Sequence, residues 1–392
     1  MSKSFHKEEF DEGTKVKLEI LRLYISGWLP VFLSRKEIYW NSIYLYDFFA
    51  GAGTDSVGNF GSPLIIINEL KKYCQKISEK NIKVTLLLNE FDPERKKSLE
   101  NSIREFVIKC REKREYSCCD NCAYGKCPFS IELDNQDFHN SFEKVFPKMI
   151  MNPELPRFMF LDQFGIKQIT PEVFLQLISL IRTDILFFIS SSFFRRFAEM
   201  PGFSSYLDIS REVFDQSKPS DCHRVIYNYY ISLIPQKVSF FMSPFSIKKA
   251  ANIYGLIFGS HNLRGLEIFL NAAWSIDKNT GEANFNIDND RIIGSGQLSI
   301  FEEENKIKKI NQFEERLTSW LKSGIKNNKI IYQFTLENGF KPQHASSILY
   351  RLEKEGMINV LSTNGRKKYS YYLSYSTEKI LFITFNDETS AG

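Results

Sequence analysis

The stretch Tyr44-Leu-Tyr-Asp-Phe-Phe-Ala-Gly-Ala-Gly53 decides how this chain is read. An apolar run ends in an acid, Asp47, and passes into a turn with two glycines. The pattern predicts a strand running into a ligand-binding loop. Glycine at 51 and 53 reaches backbone dihedrals closed to other residues and lets the main chain approach a ligand with no Cβ between them. A side chain at Gly53 is therefore expected to fill ligand space. Asp47 stands where its carboxylate can reach the same ligand, and Phe49 completes the Asp-x-Phe-x-Gly-x-Gly pattern. The third glycine and the spacing of the dinucleotide fingerprint are missing, which argues against a nicotinamide or flavin dinucleotide.

Downstream, Phe60-Gly-Ser-Pro reads as entry into a helix, with Ser62 available as a cap and Pro63 in the first turn. Lys83 to Asp92 is a continuous apolar run ending in Glu90 and Asp92, as expected of a parallel strand covered on both faces. Glu90, nearer the strand end, is the better ligand candidate; Asp92 either reaches the ligand or caps the helix that starts near Pro93. A third strand, Phe129 to Asp134, leads into a polar cluster that contains Asp137. A fourth, Arg157 to Gly165, presents Asp162 where its apolar run ends, and a fifth spans Thr183 to Ser192. Strands alternating with helices, with polar residues at each strand exit, predict an α/β doubly wound parallel sheet whose ligands bind at the carboxyl ends of the strands.

Taken in order, these motifs resemble a known family. Asp-x-Phe-x-Gly-x-Gly is similar to the first motif of S-adenosylmethionine-dependent methyltransferases. Thr14-Lys-Val-Lys-Leu-Glu-Ile-Leu-Arg-Leu-Tyr before a Trp, Gly-Ser-Pro, Asn-Glu-x-Asp, Phe-Leu-Asp-x-Phe-Gly and Gly281-Glu-Ala-Asn-Phe look like the three-Cys-motif partner protein (TcmP) family, over most of residues 5 to 290. The resemblance implies a Rossmann-like methyltransferase fold with S-adenosylmethionine bound through Asp47, Phe49, Gly51, Gly53, Glu90, Asp92 and Asp137. It also implies association with a radical-SAM-like three-cysteine protein, in a setting of phage defence or mobile elements. The family leads one to expect Asp-Pro-Phe-Gly at the fourth strand, where this chain has Asp162-Gln163-Phe164-Gly165.

That site suggests a reaction. Methyltransferases of base amino groups carry Asp/Asn-Pro-Pro-Tyr/Phe at this place, so Asp162 is the candidate acceptor of an amine hydrogen and Phe164 the candidate stacking ring. Without proline the turn loses a fixed φ. The alternative is that Asp162 caps a loop and Phe164 is core. Cytosine C5 chemistry needs a Pro-Cys nucleophile, and Cys127-Pro128 has the reverse order. The same resemblance leaves open a catalytically inactive adaptor that keeps the fold.

The chain has 392 residues, 43% hydrophobic and 25% charged, enough for a sizeable core and two or three domains. No export signal or apolar run of ~20 residues stands out, so a soluble cytoplasmic protein with reduced thiols and no membrane association is expected. A net charge of +4 permits nucleic acid without requiring it. The 35 Phe and 18 Tyr are mostly expected in strands and core, with some available for base stacking. His261, at the exit of a late strand read over Ile253 to Asn262, is either a proton-transfer group or a structural histidine. Cys118, Cys119, Cys122 and Cys127 cluster around Gly125 at spacings compatible with tetrahedral zinc, an iron-sulfur cluster, or free or disulfide-paired thiols.

From Asp277 to about Lys306 the composition turns to Asn, Asp, Gly and Glu and reads as an exposed linker between a first domain, 1–276, and a second, 307–392. Within it Gln297-Leu-Ser-Ile-Phe301 resembles the bacterial sliding-clamp-binding pentapeptide. The C-terminal region predicts a winged helix-turn-helix: Ala345, Ile348, Leu349 and Leu352 form the buried stripe of a recognition helix, and Asn364-Gly365 turns a strand pair over Met357 to Leu373. Lys341, Gln343, Ser347 and Arg351 are candidates to face DNA or RNA, with Arg366, Lys367 and Lys368 on phosphates. If the cysteine cluster ligates zinc, elemental analysis of the purified protein finds about one zinc per chain and Cys122→Ser releases it. Folded, metal-free protein rejects that ligation.

Overall fold

The computed structural model describes residues 8–37, 39–113, 127–163, 165, 167–191, 222–250, 252–287, 309–362 and 370–386. The chain divides into two compact units, Met1–Gly265 and Leu266–Gly392. In the first, helix α1 (Glu12–Leu33) precedes β1 (Ser42–Asp47), α2 (Ser62–Lys71), α3 (Cys74–Glu79), β2 (Lys83–Asn89), α4 (Pro93–Lys113) and β3 (Ser130–Asp134). Then come α5 (Phe138–Met151), β4 (Arg157–Leu161), α6 (Pro171–Ile178), β5 (Thr183–Ile189), α7 (Cys222–Ser232), β6 (Phe241–Lys249) and β7 (Asn252–Ser260).

The seven strands are ordered β3-β2-β1-β4-β5-β7-β6. Strands β1 to β5 run parallel, while β7 is antiparallel to both β5 and β6. This is a Rossmann-like methyltransferase sheet. Its central strands are apolar runs because helices cover both faces, and every residue of β4 is buried. Strand β6 is an addition to the sequence reading: Pro244 interrupts its pattern, and an edge strand tolerates the missing donor. The order reverses at β1, since β2 follows it on one side and β4 lies on the other, and the crevice for ligands opens there.

Helix α1 is held on the sheet by one buried carboxylate. Asp184, on β5, accepts hydrogen bonds from Tyr24 Oη (2.6 Å) and Trp28 Nε1 (2.9 Å) of α1 and from Ser260 Oγ at the end of β7. Burial pushes its carboxyl pKa up, against the pull of these donors. Gly265 belongs to the same joint, because a Cβ there would stand 2.9 Å from Ser260 Oγ and 3.1 Å from Asp184 Oδ1.

The second unit contains a winged helix-turn-helix. Helix α8 (Leu263–Ile276) runs into it, and α9 (Lys309–Lys322), β8 (Lys326–Asn327), α10 (Asn328–Glu337), α11 (Pro342–Lys354), β9 (Ile358–Ser362) and β10 (Leu381–Phe385) follow. Ala345, Ile348, Leu349 and Leu352 form the buried stripe of α11, as their spacing predicts. The partner of β9 is β10, beyond the Met357–Leu373 window in which the sequence places both strands. Buried Asn328 supplies the missing tether: its Nδ2 donates to Tyr372 O (3.1 Å) and Lys379 O (3.0 Å), and its Oδ1 accepts from Leu381 N (3.1 Å). Of the segment from Asp277 to about Lys306, whose composition predicts an exposed linker, residues 277–287 are described, and there Asp277, Thr280 and Ala283 are buried. Gly281, at φ +63°, lies under Trp274, whose Nε1 donates to Gly339 O at 2.9 Å; a Cβ at 281 would stand 2.4 Å from that nitrogen.

Replacing Asp184 by Leu strands three buried donors at once. Loss of stability of roughly 3 to 5 kcal/mol is expected, read as a fall in the urea midpoint of the full chain. An unchanged midpoint rejects the role given to this joint.

Candidate active site

Three carboxylates meet at the strand ends beside the crevice. Asp47 is the last residue of β1 and pairs in register with Leu88 of β2 and Phe160 of β4, so Glu90 and Asp162 each lie two residues past its neighbours. The turn after Asp47 is stitched to β2 by backbone and side chain. Ala50 N donates to Asn89 O (2.9 Å), Gly51 N donates to Glu90 Oε2 (2.8 Å), and Asn89 Nδ2 donates to Phe48 O (3.2 Å). Gly51 and Gly53 take φ of +65° and +89°, the left-handed region glycine enters without strain.

One expectation is corrected here. A Cβ at Gly53 would meet Ser102 Cβ at 3.0 Å and Leu99 Cδ1 at 3.2 Å, both on α4. The space is filled by the protein's own helix, so a larger residue at 53 displaces α4, not a ligand. Past the turn, Asp55 gathers the loop. It accepts from Phe10 N (2.9 Å), Val57 N (3.1 Å) and Asn59 N (2.8 Å).

Asp47 is fully buried. Its Oδ1 accepts from Phe49 N at 3.1 Å, while Oδ2 has no hydrogen-bond partner. Burial drives its carboxyl pKa up to about 7, with Asp162 and Glu90 adding to the rise; the Phe49 N–H opposes it, as does the Ser62 hydroxyl, which lies near the carboxylate without hydrogen-bonding Oδ2. An unpartnered buried carboxylate oxygen costs free energy unless a donor or cation meets it. Glu90 is also buried, and its Oε1 accepts from Asp92 N (2.9 Å). Each of its oxygens keeps a further lone pair. Asp92 Oδ1 accepts from Glu94 N (2.9 Å) and Arg95 N (3.1 Å) and so caps α4; Asp137 Oδ1 caps α5 through Asn140 N (3.1 Å). Phe49 stacks on Phe138 at 5.3 Å. Phe91, between Glu90 and Asp92, is 70% exposed, a candidate the sequence reading passed over although its position after the strand-end acid marked it.

Asp162 brings in a residue from far away in the chain. Its Oδ2 is ion-paired with Lys17 Nζ of α1, and the side chains are 23% and 9% exposed. The ammonium also lies 4.6 Å from the centroid of the Phe188 ring. Gln163 replaces the expected proline with a different device. Its Oε1 accepts from Gln168 N (3.1 Å) and Ile169 N (3.3 Å), and the loop is held by a side chain in place of a ring. Phe164 lies outside the described residues, as do Cys118, Cys119, Cys122, the pentapeptide Gln297–Phe301, Arg366, Lys367 and Lys368. Cys127 is half-buried, and among the described residues no group of three potential metal ligands occurs. His261 sets both ring nitrogens 2.7 Å from backbone carbonyls, those of Ser239 and Ile178, which makes it a structural tie.

On the winged helix, Gln343 and Ser347 are exposed, with Ser347 Oγ donating to Gln343 O at 3.0 Å. Lys341 is half-buried and starts α11. Arg351 is exposed but already ion-paired with Glu314 of α9. Tyr350, 64% exposed, shares this face at helical spacing and was not singled out from sequence.

Residues 286–365 match a family model described as GMT-like wHTH domain. No curated protein matches the chain in sequence. Solved structures similar in fold include Trm1 from Pyrococcus horikoshii in complex with S-adenosyl-L-methionine, 10% identical over 66% of this chain and 59% of that one, with a TM-score of 0.33. The O-methyltransferase TomG from Streptomyces achromogenes is also 10% identical, over 66% of this chain and 92% of its own, with a TM-score of 0.32. A human methyltransferase 10 domain containing protein is 10% identical over 62% and 82%, with a TM-score of 0.30. This chain thus spans less than two thirds of Trm1. Likenesses of this size carry nothing about cofactor or substrate, and the strand order carries the fold by itself. Among the described residues no helix is long and apolar enough to cross a membrane.

The burial of Asp47 has a pH signature. Its carboxyl titrates near 7 in the folded chain against 3.8 when free, so between these values the folded state holds a proton the unfolded state has lost. Stability is therefore greatest below the lower value and falls as pH rises through the higher one, by on the order of 4 kcal/mol. Asp47→Asn is expected to flatten the fall. Urea midpoints measured at steps across this range, on wild type and variant, check it, and identical pH slopes refute it.

Proposed function

We propose that the protein is an S-adenosylmethionine-dependent methyltransferase acting on a base amino group in nucleic acid. The observation that carries the reading is Asp47: a buried carboxylate with one unpartnered oxygen, at the glycine turn, on the strand where the sheet reverses. The residues present suit the cofactor. An unpartnered carboxylate calls for a cation, and the amino-acid end of S-adenosylmethionine offers an ammonium. Glu90, fixed by Gly51 N and Asp92 N, retains lone pairs for ribose hydroxyls, and exposed Phe91 supplies an apolar face beside it.

When bound, the cofactor supplies an electrophilic methyl group. The chain's own part is to bind, orient and accept hydrogen. Asp162 accepts a hydrogen of the target amine, and Phe164 stacks the extruded base. The winged helix delivers the domain to nucleic acid, with Gln343, Ser347 and Tyr350 toward base edges and Arg366, Lys367 and Lys368 on phosphates. The resemblance to three-Cys-motif partner proteins supports a radical-SAM-like partner, and Gln297–Phe301 supports docking on a sliding clamp. The competing reading is a methyltransferase-fold adaptor. What favours it is that Asp162 already holds a cation of its own chain.

Calorimetric titration with S-adenosylmethionine, followed by labelled-methyl transfer to DNA and RNA pools, separates the two. Wild type is expected to bind, and Asp47→Asn to lose at least tenfold in affinity. Asp162→Ala is expected to keep cofactor and nucleic-acid binding while losing transfer. Binding without transfer by wild type selects the adaptor; no binding removes the cofactor assignment.

A further inference from the structure

We propose that Lys17 is a positioning residue for Asp162, one that occupies a single carboxylate oxygen and leaves the other to receive the substrate amine. The inference rests on the methyltransferase reading. Three observations carry it. The first is rigidity: α1 is locked through Tyr24 and Trp28 onto Asp184, so Lys17, on the same buried stripe, is delivered by a fixed element and not by a loop. The second is seating. The ammonium lies between the carboxylate of Asp162 and the face of Phe188, whose ring is itself stacked on Tyr254 at 5.0 Å. Both a carboxylate and an aromatic face attract a cation, the more strongly in partly dry surroundings. The third is what remains. Among the described residues Asp162 Oδ2 alone is engaged, its Oδ1 accepts nothing, and the side chain keeps 23% exposure.

Charge gives the pairing a reason. Asp47, Glu90 and Asp162 converge on one crevice, and Lys17 is the cation the chain places against one of them. A lone Asp162 would be free to turn both oxygens toward any donor and would repel its neighbours. Paired, it is fixed in direction and presents one acceptor site. A primary or exocyclic amine has hydrogens to offer there. A second cation meets a carboxylate already balanced. The geometry therefore points to a neutral amine as the preferred substrate group, in line with a base amino group and against an alkylammonium.

Lys17→Ala opens a cavity that propylammonium can refill. In the full-length variant, propylammonium chloride is expected to raise the unfolding temperature saturably, beyond an equal concentration of sodium chloride. Wild type and the double variant Lys17→Ala, Asp162→Asn are expected to show no such rise. This readout involves no transfer. In parallel, Lys17→Ala should lose about 100-fold in labelled-methyl transfer, with kcat falling and S-adenosylmethionine affinity within threefold of wild type. Propylammonium should restore much of that loss. Lys17→Arg, which keeps the charge, should stay within tenfold of wild type and serves as the folded comparison if the alanine variant does not fold. Transfer by Lys17→Ala at the wild-type rate overturns the proposal, as do propylammonium binding without rescue and an arginine variant as inactive as Asp162→Ala. If wild type binds cofactor but transfers to neither nucleic acid, the methyltransferase reading fails and this role for Lys17 falls with it; the propylammonium titration then still reports whether the cation seat exists.

Discussion

A carboxylate buried on β5 sets the position of the N-terminal helix. Asp184 loses its hydration when the sheet is covered, and an ionised carboxylate deep in protein is tolerated only where donors replace the water. Tyr24 and Trp28 supply two of them and Ser260 a third. Because the tyrosine and the tryptophan lie on one face of α1, satisfying Asp184 fixes both the height and the rotation of that helix. Lys17 belongs to the same stripe, two turns earlier, and is carried to the end of β4 as a consequence. The joint is structural, but its effect is on the crevice: it decides that a cation, and not a hydrophobe or water, meets Asp162.

The crevice concentrates charge in a place where charge is costly. Asp47 is the extreme, with one oxygen served by the amide of its own turn and one left over. A core that served only stability gains nothing from that second oxygen, since a buried carboxylate oxygen with no donor costs free energy. Its place beside a glycine turn is the pattern of a site that keeps part of its hydrogen-bonding capacity for something outside the chain. The neighbouring acids are treated differently. Glu90 is tied down by two amides, and Asp162 by an ammonium, so the three share a location without sharing an environment.

Much of this was legible in the chain. The runs before Asp47, Glu90 and Asp162 declared three strands because parallel strands buried on both faces leave no polar alternation, and the acids marked where burial ended. The glycine turn declared itself by composition. What the sequence withheld were the contacts. Lys17 and Asp162 are 145 residues apart, and nothing local distinguishes Lys17 from Lys15, which is exposed and paired with Glu9. The direction in which Gly53 faces was misjudged for a related reason, since conformational freedom is visible in a sequence and the neighbour filling the space is not. Likewise β9 pairs with β10, beyond the Met357–Leu373 window, and Leu381 of β10 is tied to Asn328, about fifty residues upstream, a contact no local pattern announces; the hairpin signal Asn364-Gly365 lies outside the described residues.

The departure at position 163 shows how one requirement can be met by two chemistries. A proline there would set the backbone by fixing φ. Gln163 reaches across the loop, and its carbonyl oxygen takes two consecutive amides at 168 and 169, closing the segment as a capping side chain closes a helix end. The ring would act on one dihedral; the carboxamide acts on the far end of the loop and depends on staying buried, as Gln163 does at 2% exposure. With Asp162 fixed by Lys17 on one side and the chain after it fixed by Gln163 on the other, the exit of β4 is set by one side chain from α1 and one from the loop itself. A proline in place of Gln163 would leave the amides of 168 and 169 without that acceptor. The glutamine is thus coupled to the loop length that follows it, and the two belong to one solution for presenting the Asp162 carboxylate.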